Sequence, residues 1–202
     1  MAKLYFKYGV MGSSKTAQAL ITKFNYEERN MKVLLLKPAV DSRENAAVVR
    51  SRIGLEAPCV MVSETEDLYR LYLDRYRDID VVIVDECQFL QPEQVDQLGK
   101  IVLDHDIPVL CFGLATDFLT HLFPGSRRLF EIAESITEIK SICRCGAKAT
   151  VNARFDDRGN IVYEGDQILI GGNDRYEAMC RRCWLKQKRL SAPSGRPAQE
   201  RN

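Results

Sequence analysis

The sequence predicts an α/β fold, a mostly parallel sheet completed by a small β-rich module toward the C-terminus. Three observations predict it. Short β-rich runs alternate with amphipathic helical patterns over the first 140 residues, the rhythm of parallel strands joined by helical crossovers. A Gly/Ser loop with a lysine stands between the first run and the first helical pattern. Beyond residue 140 cysteines gather in pairs and the charge turns basic, with 12 basic and 7 acidic groups there against 17 and 21 before.

Strands are expected at Leu4 to Tyr8, Met31 to Lys37, Cys59 to Val62, Asp80 to Val84 and Pro108 to Gly113. Between them Ala17, Leu20, Ile21 and Phe24 recur at helical spacing and are expected on one buried face. Leu68, Leu71 and Tyr72 form a second such stripe, and Val95, Leu98, Ile101 and Val102 a third. Past Ser141 a strand through Val151, Ala153 and Phe155 leads into the turn Asp156-Asp157-Arg158-Gly159-Asn160 and two further short strands. A domain boundary is expected near residue 141. The tail, residues 191–202, has no large apolar side chain to offset its ordering entropy and is expected to be disordered.

The 202 residues, 46% hydrophobic and 28% charged, have the composition of a globular protein of one or two domains. The longest apolar stretches fall far short of the roughly 20 residues of a membrane span, and no secretory apolar region follows Met1. Cys59, Cys87 and Cys111 sit in or beside apolar runs, where a reduced thiol behaves as a small hydrophobe. The expected location is the cytoplasm.

The first strand runs into Gly9-Val10-Met11-Gly12-Ser13-Ser14-Lys15-Thr16, which fits the phosphate-loop pattern G-x4-G-K-[ST] except that Ser14 replaces the second glycine. Backbone N–H groups and a helix N-terminus converge on an anion in such a loop. An ATP-binding, phosphate-loop NTPase-like domain is therefore expected over residues 1–140, with Lys15 reaching the β- and γ-phosphates and the Thr16 hydroxyl on Mg²⁺. A non-glycine side chain resists positive φ by about 1–2 kcal/mol, so Ser14 is expected at negative φ. The alternative is a Gly/Ser turn capping a helix, with Lys15 a solvated charge.

Val81-Val82-Ile83-Val84 drives a buried strand into Asp85 and Glu86, at the sheet edge where open α/β sheets bind ligands. Asp85 is expected to hold Mg²⁺, and the diverging Glu86 to serve a second purpose. Otherwise the two acids cap the helix that begins near Pro92. After the second strand, Arg43 is a candidate for phosphate oxygens and Asp41 for a metal-bound water or a neighbouring base, the alternative being a plain solvated turn.

Cys143 and Cys145 precede the pair Cys180 and Cys183, and four thiolates complete a tetrahedral structural Zn²⁺ site with no open position for catalysis. The single residue between Cys143 and Cys145 is tighter than the usual gap, which leaves a three-cysteine site or four free thiols as alternatives.

Together, the loop Gly9 to Thr16, Lys37-Pro-Ala-Val-Asp41-Ser-Arg43, Asp85-Glu86-Cys87-Gln88-Phe89, Gly113-Leu-Ala-Thr-Asp117-Phe118 and Ile170-Gly-Gly-Asn-Asp-Arg-Tyr176 resemble the thymidine kinases of the bacterial and vertebrate-cytosolic type. The resemblance spans residues 4 to about 186. It implies ATP-dependent phosphorylation of the thymidine 5′-hydroxyl, a nucleotide-salvage step for DNA synthesis, by a homotetramer. On this chain it implies Glu86 as catalytic base, assisted by Lys15 and Arg43. It implies nucleotide contacts from residues 9–16, Asp41 and residues 85–88. It implies Met11, Phe89, Leu114, Phe118, Phe123, Asn152 and Tyr176 around the nucleoside. Residues 141–190 would be the family's zinc-binding lasso domain, held by Cys143, Cys145, Cys180 and Cys183.

Two other function classes fit parts of the pattern. A nucleic-acid-stimulated ATPase shares Asp85-Glu86-x-x, although helicases of that kind use two such domains and only about 140 residues here are α/β. A zinc-ribbon nucleic-acid module suits the basic C-terminal part, although an overall charge of +1 weakens phosphate-driven binding. No nucleic-acid or membrane partner is expected.

Overall fold

The computed structural model describes residues 1–39, 47–165 and 176–191. Asp41, Arg43, the glycines near residue 171 and the tail from residue 192 lie outside them.

Residues Leu4–Tyr8 (β1), Val33–Pro38 (β2), Val60–Val62 (β5), Val81–Val84 (β6), Val109–Gly113 (β7) and Ser135–Glu138 (β8) form one sheet in the order β5-β2-β6-β7-β1-β8. Every pairing in it is parallel. Val48–Arg50 (β3) and Glu56–Pro58 (β4) make a separate antiparallel hairpin between β2 and β5.

A parallel sheet must be covered on both faces, and the strand period of two divides its side chains accordingly. Leu34, Leu36, Val82, Val84, Val109 and Cys111 join one core with Leu68, Leu71, Tyr72, Val95, Leu98, Ile101 and Leu129. Those last residues come from helices Leu68–Arg75 (α2), Pro92–His105 (α3) and Pro124–Ile132 (α4). Leu35, Val81, Ile83, Leu110 and Phe112 face the other way, onto Ala19 and Leu20 of Lys15–Glu27 (α1).

Helix α1 departs from the expected stripe. Ala17 and Leu20 are buried, but Ile21 and Phe24 are 46% and 58% exposed. Ala19, fully buried, and Tyr26, packed on the same core, turn the helix so that the Ile21–Phe24 side faces outward. The stripes of α2 and α3 are buried as their spacing implies.

The small unit begins with an isolated bridge between Ile142 and Lys148. Val151–Phe155 (β9) is flanked by the antiparallel Ile161–Val162 (β10) and Tyr176–Met179 (β11), and Arg181–Ser191 (α5) closes the described chain. Its core comprises Cys143, Ala149, Val151, Ala153, Ile161, Met179, Cys180 and Trp184. Val10, from the loop after β1, packs against that core, so the two units meet at the loop. Among the described residues no helix is long and apolar enough to cross a membrane.

Candidate active site

The loop after β1 is shaped by close approach at both ends. A Cβ on Gly9 would lie 2.5 Å from the Ile139 carbonyl oxygen and 2.5 Å from Ser13 Oγ, so the loop can leave the strand only through glycine. Gly12 has φ +74. Ser14, the N-cap of α1, has φ 62 and ψ 23 and makes no side-chain cap bond. This corrects the expected negative φ. The turn onto α1 demands a left-handed residue, and tertiary packing imposes it on serine at a cost of about 1–2 kcal/mol.

Lys15 is buried, and its Nζ donates to the Val10 carbonyl at 2.8 Å and lies 3.5 Å from Ser13 Oγ. Desolvation holds its pKa below the ordinary lysine value, although Glu86 and Asp85 pull it upward. At the carboxyl end of β6, Asp85 is 3% exposed and accepts from the Thr16 hydroxyl at 3.3 Å. Burial, and then the charge of Glu86, push its pKa up to about 7. Loop lysine, loop threonine and strand-end aspartate therefore lie together at the sheet edge, a cluster in which one cation and one acid are both buried.

Glu86 follows with φ 53, in the left-handed region, and opens the single 3₁₀ turn Cys87–Phe89. Gln88, 1% exposed, donates from Nε2 to Glu86 Oε2 at 2.5 Å, and its Oε1 accepts from the Leu114 N–H at 2.9 Å. A Cβ on Gly113 would come within 2.5 Å of Gln88 Oε1 and 2.6 Å of Cys87 Sγ. One on Gly125 would meet the Leu90 carbonyl oxygen at 2.5 Å. The turn carrying Glu86 is thus seated between two glycines, of which Gly113 opens one of the motifs that carry the resemblance and Gly125 belongs to none. The Cys87 side chain belongs to the core, where burial and the neighbouring Cys111 push its pKa up.

Phe89 and Phe123 meet edge to face with ring centroids 5.6 Å apart. Phe118 is buried, with the Arg154 guanidinium 5.0 Å from its ring centre. Met11, Leu114 and Tyr176 are half-buried. Asn152 is 3% exposed, and both ends of its amide are engaged: Oδ1 accepts from the Met11 N–H at 2.8 Å and Nδ2 donates to the Thr116 carbonyl at 2.8 Å. Arg52 comes from the β3–β4 hairpin to the phosphate loop. Its Nη1 lies 3.8 Å from where a Gly12 Cβ would be, and its charge helps to lower the Lys15 pKa. No motif marks Arg52, because only folding of the hairpin brings it there.

Cys143, Cys145, Cys180 and Cys183 converge, with all four sulfurs within 4.8 Å of one another and Cys145 and Cys180 at 3.6 Å. Gly146, directly after Cys145, has φ +84, and its N–H donates to the Cys143 carbonyl at 2.8 Å, closing the turn that carries both cysteines. Backbone N–H groups of Cys145 and Cys180 draw the Cys143 pKa down to about 7, while hydrogen bonding to the sulfurs of Cys145 and Cys180 pushes Cys183 up to about 12. Tetrahedral Zn–S bonds of about 2.3 Å place sulfurs about 3.8 Å apart. The four cysteines fit that ion.

The thymidine kinase family profile matches residues 2–184. The chain belongs to the thymidine kinase family. Thymidine kinase of Zymomonas mobilis is 44% identical over 189 residues, 93% of this chain and 98% of its own. Those of Vibrio cholerae and of phage T4 are 45% and 44% identical over 183 and 186 residues, 90% and 91% of this chain and 95% and 96% of theirs. Among solved structures, the Pif1 helicase of Candida albicans overlaps 71% of this kinase and 37% of its own chain at a TM-score of 0.40 and 15% identity, too distant to bear on function.

Proposed function

We propose that this kinase transfers the γ-phosphoryl group of ATP to the 5′-hydroxyl of thymidine. The observation that carries the reading is the meeting of Lys15, Thr16 and Asp85 at the sheet edge, beside Glu86, in a chain of the thymidine kinase family. The N–H groups of residues 9–16 cradle the phosphates, and Lys15, leaving the Val10 carbonyl, balances their charge. Thr16 and Asp85 are the residues that would hold Mg²⁺, which when bound neutralises phosphate charge. Glu86 accepts the 5′-hydroxyl proton as the oxygen attacks, and Gln88 fixes the orientation of its carboxylate. Arg43 supplies further positive charge to the transferring group, and Asp41 completes the nucleotide contacts.

Met11, Phe89, Leu114, Phe118, Phe123 and Tyr176 form the apolar surroundings a neutral base requires. Zn²⁺ on the four cysteines pins the small unit, residues 141–190, whose own core is too small to stand alone. The active species is a cytoplasmic homotetramer; the outward Ile21 and Phe24 are apolar surface that such an assembly would cover.

The test is ATP consumption across a nucleoside panel with single-stranded DNA as a further arm. Thymidine should be phosphorylated in preference to the other nucleosides. Turnover that answers to DNA and not to any nucleoside would overturn the reading.

A further inference from the structure

We propose that Asn152 is a positioning residue through which the cysteine-bound unit sets the phosphate loop. The inference rests on the phosphate-binding reading of that loop.

The Met11 N–H and the Val10 carbonyl belong to one peptide group. Asn152 Oδ1 accepts from the N–H at 2.8 Å, and Lys15 Nζ donates to the carbonyl oxygen at 2.8 Å. Asn152 therefore fixes the plane of the peptide on which the resting lysine hangs. A flip of that plane would turn the carbonyl from Lys15 and strand a partly buried N–H without a partner, an unfavourable change. The other end of the amide holds the Thr116 carbonyl, in the segment between β7 and α4, at 2.8 Å. One buried side chain of the small unit thus bonds two loops of the large one, and Val10 adds an apolar contact to the same interface.

The connection from the cysteines to Asn152 is short. Asn152 on β9 pairs with Ala178 on β11, two residues before Cys180. Val151, paired with Met179, lies in the core that contains Cys143 and Cys180. The position of β9, and with it of the amide, depends on a closed cysteine cluster. Loss of that cluster should reach nucleotide affinity even though no cysteine touches the loop. With Oδ1 and Nδ2 committed to backbone groups, Asn152 acts on substrate through the loops.

The experiment is a double-mutant cycle read by calorimetric binding of a non-hydrolysable ATP analogue to the full chain: wild type, Asn152→Ala, Cys183→Ser and the double variant, with zinc content measured for each. Asn152→Ala should raise Kd about tenfold while zinc content stays at the wild-type level. Cys183→Ser should raise it comparably, and the double variant hardly further, because both act through one strut. Asn152→Leu, nearly isosteric but with neither acceptor nor donor, should raise Kd as alanine does and serves if the cavity left by alanine keeps that variant from folding. Additive effects would sink the proposal, as would unchanged analogue affinity in Asn152→Ala with a raised thymidine KM, which would make Asn152 a nucleoside contact. Wild type that binds no analogue overturns the phosphate-loop reading together with this inference; wild type that binds beside an equally tight Asn152→Ala overturns this inference alone.

Discussion

Ser14 shows how a single backbone angle can run against residue preference. Its side chain makes no cap bond, so nothing local compensates for φ 62. Glycine at this position would relieve about 1 kcal/mol, raising Tm by about 2–4 °C in a chain of this size. Ser14→Gly should therefore be more heat-stable by calorimetry, with activity within about tenfold of wild type. An unchanged or lower Tm would mean that the loop, and not the residue, carries the strain. Glu86→Gln keeps the side chain's shape but cannot accept the hydroxyl proton, so kcat should fall about 10²–10⁴-fold. Affinities for ATP and thymidine should hold, the mark of an interaction made in the transition state. Single-turnover rates with both substrates saturating decide this, and an unchanged chemical step would remove Glu86 from the mechanism. Asp85 gives a pH dependence. Its folded pKa of about 7 lies above the ordinary 3.8, so between those values the folded chain binds more protons than the unfolded one. Its contribution to stability is thus full at low pH and is lost as pH rises through about 7. In Mg²⁺-free buffer, the Tm advantage of Asp85→Asn over wild type should grow from pH 5 to pH 8, and a difference independent of pH would contradict this.

At the scale of elements, the turn that presents Glu86 depends on glycines in two other elements. Gly113→Ala would drive a methyl group into Gln88 Oε1 and Cys87 Sγ, both closer than 3 Å. Overpacking of this kind costs about 1–3 kcal/mol. Because Gln88 also holds Glu86, the variant should lose kcat more than it loses stability-corrected binding of ATP. Kinetics at a temperature well below its Tm would reveal a purely structural effect as unchanged kcat. Val81 to Glu86 was readable in the sequence because an all-buried strand must be a continuous apolar run, and the acids that end it mark the sheet edge. The edge strand β8 was not, since Ser135-Ile136-Thr137-Glu138 is half-exposed and carries no apolar run. The outward turn of Ile21 and Phe24 escaped because helical spacing gives the stripes a helix has, and the sheet chooses among them. The cysteine cluster was legible from residue type and pairing, whereas the Asn152 bonds and the approach of Arg52 arise from contacts distant in sequence, which no local pattern encodes.

At the scale of the whole molecule, two units with cores of unequal size meet at the phosphate loop. The large sheet is buried on both faces, while the small unit rests on a short core that includes two of the four clustered cysteines. The single tryptophan of the chain, Trp184, lies in that small core, 7% exposed, one residue past Cys183 and edge to face with Tyr163 at 5.3 Å. Its fluorescence therefore reports the small unit, whereas far-ultraviolet circular dichroism reports mainly the helices and strands of the large one. If the cysteines hold the zinc proposed for them, a chelator opens the cluster and leaves four sulfurs sharing one small space. The expected result in a urea titration is a red shift of tryptophan emission at lower urea than the loss of ellipticity, with the two midpoints separated only after chelation. With zinc present they should draw together, because binding energy of the metal is folding energy of the unit that holds it. Emission and ellipticity that change at one urea concentration in chelated protein would show that the small unit has no separate stability, and that the cysteines serve the whole fold.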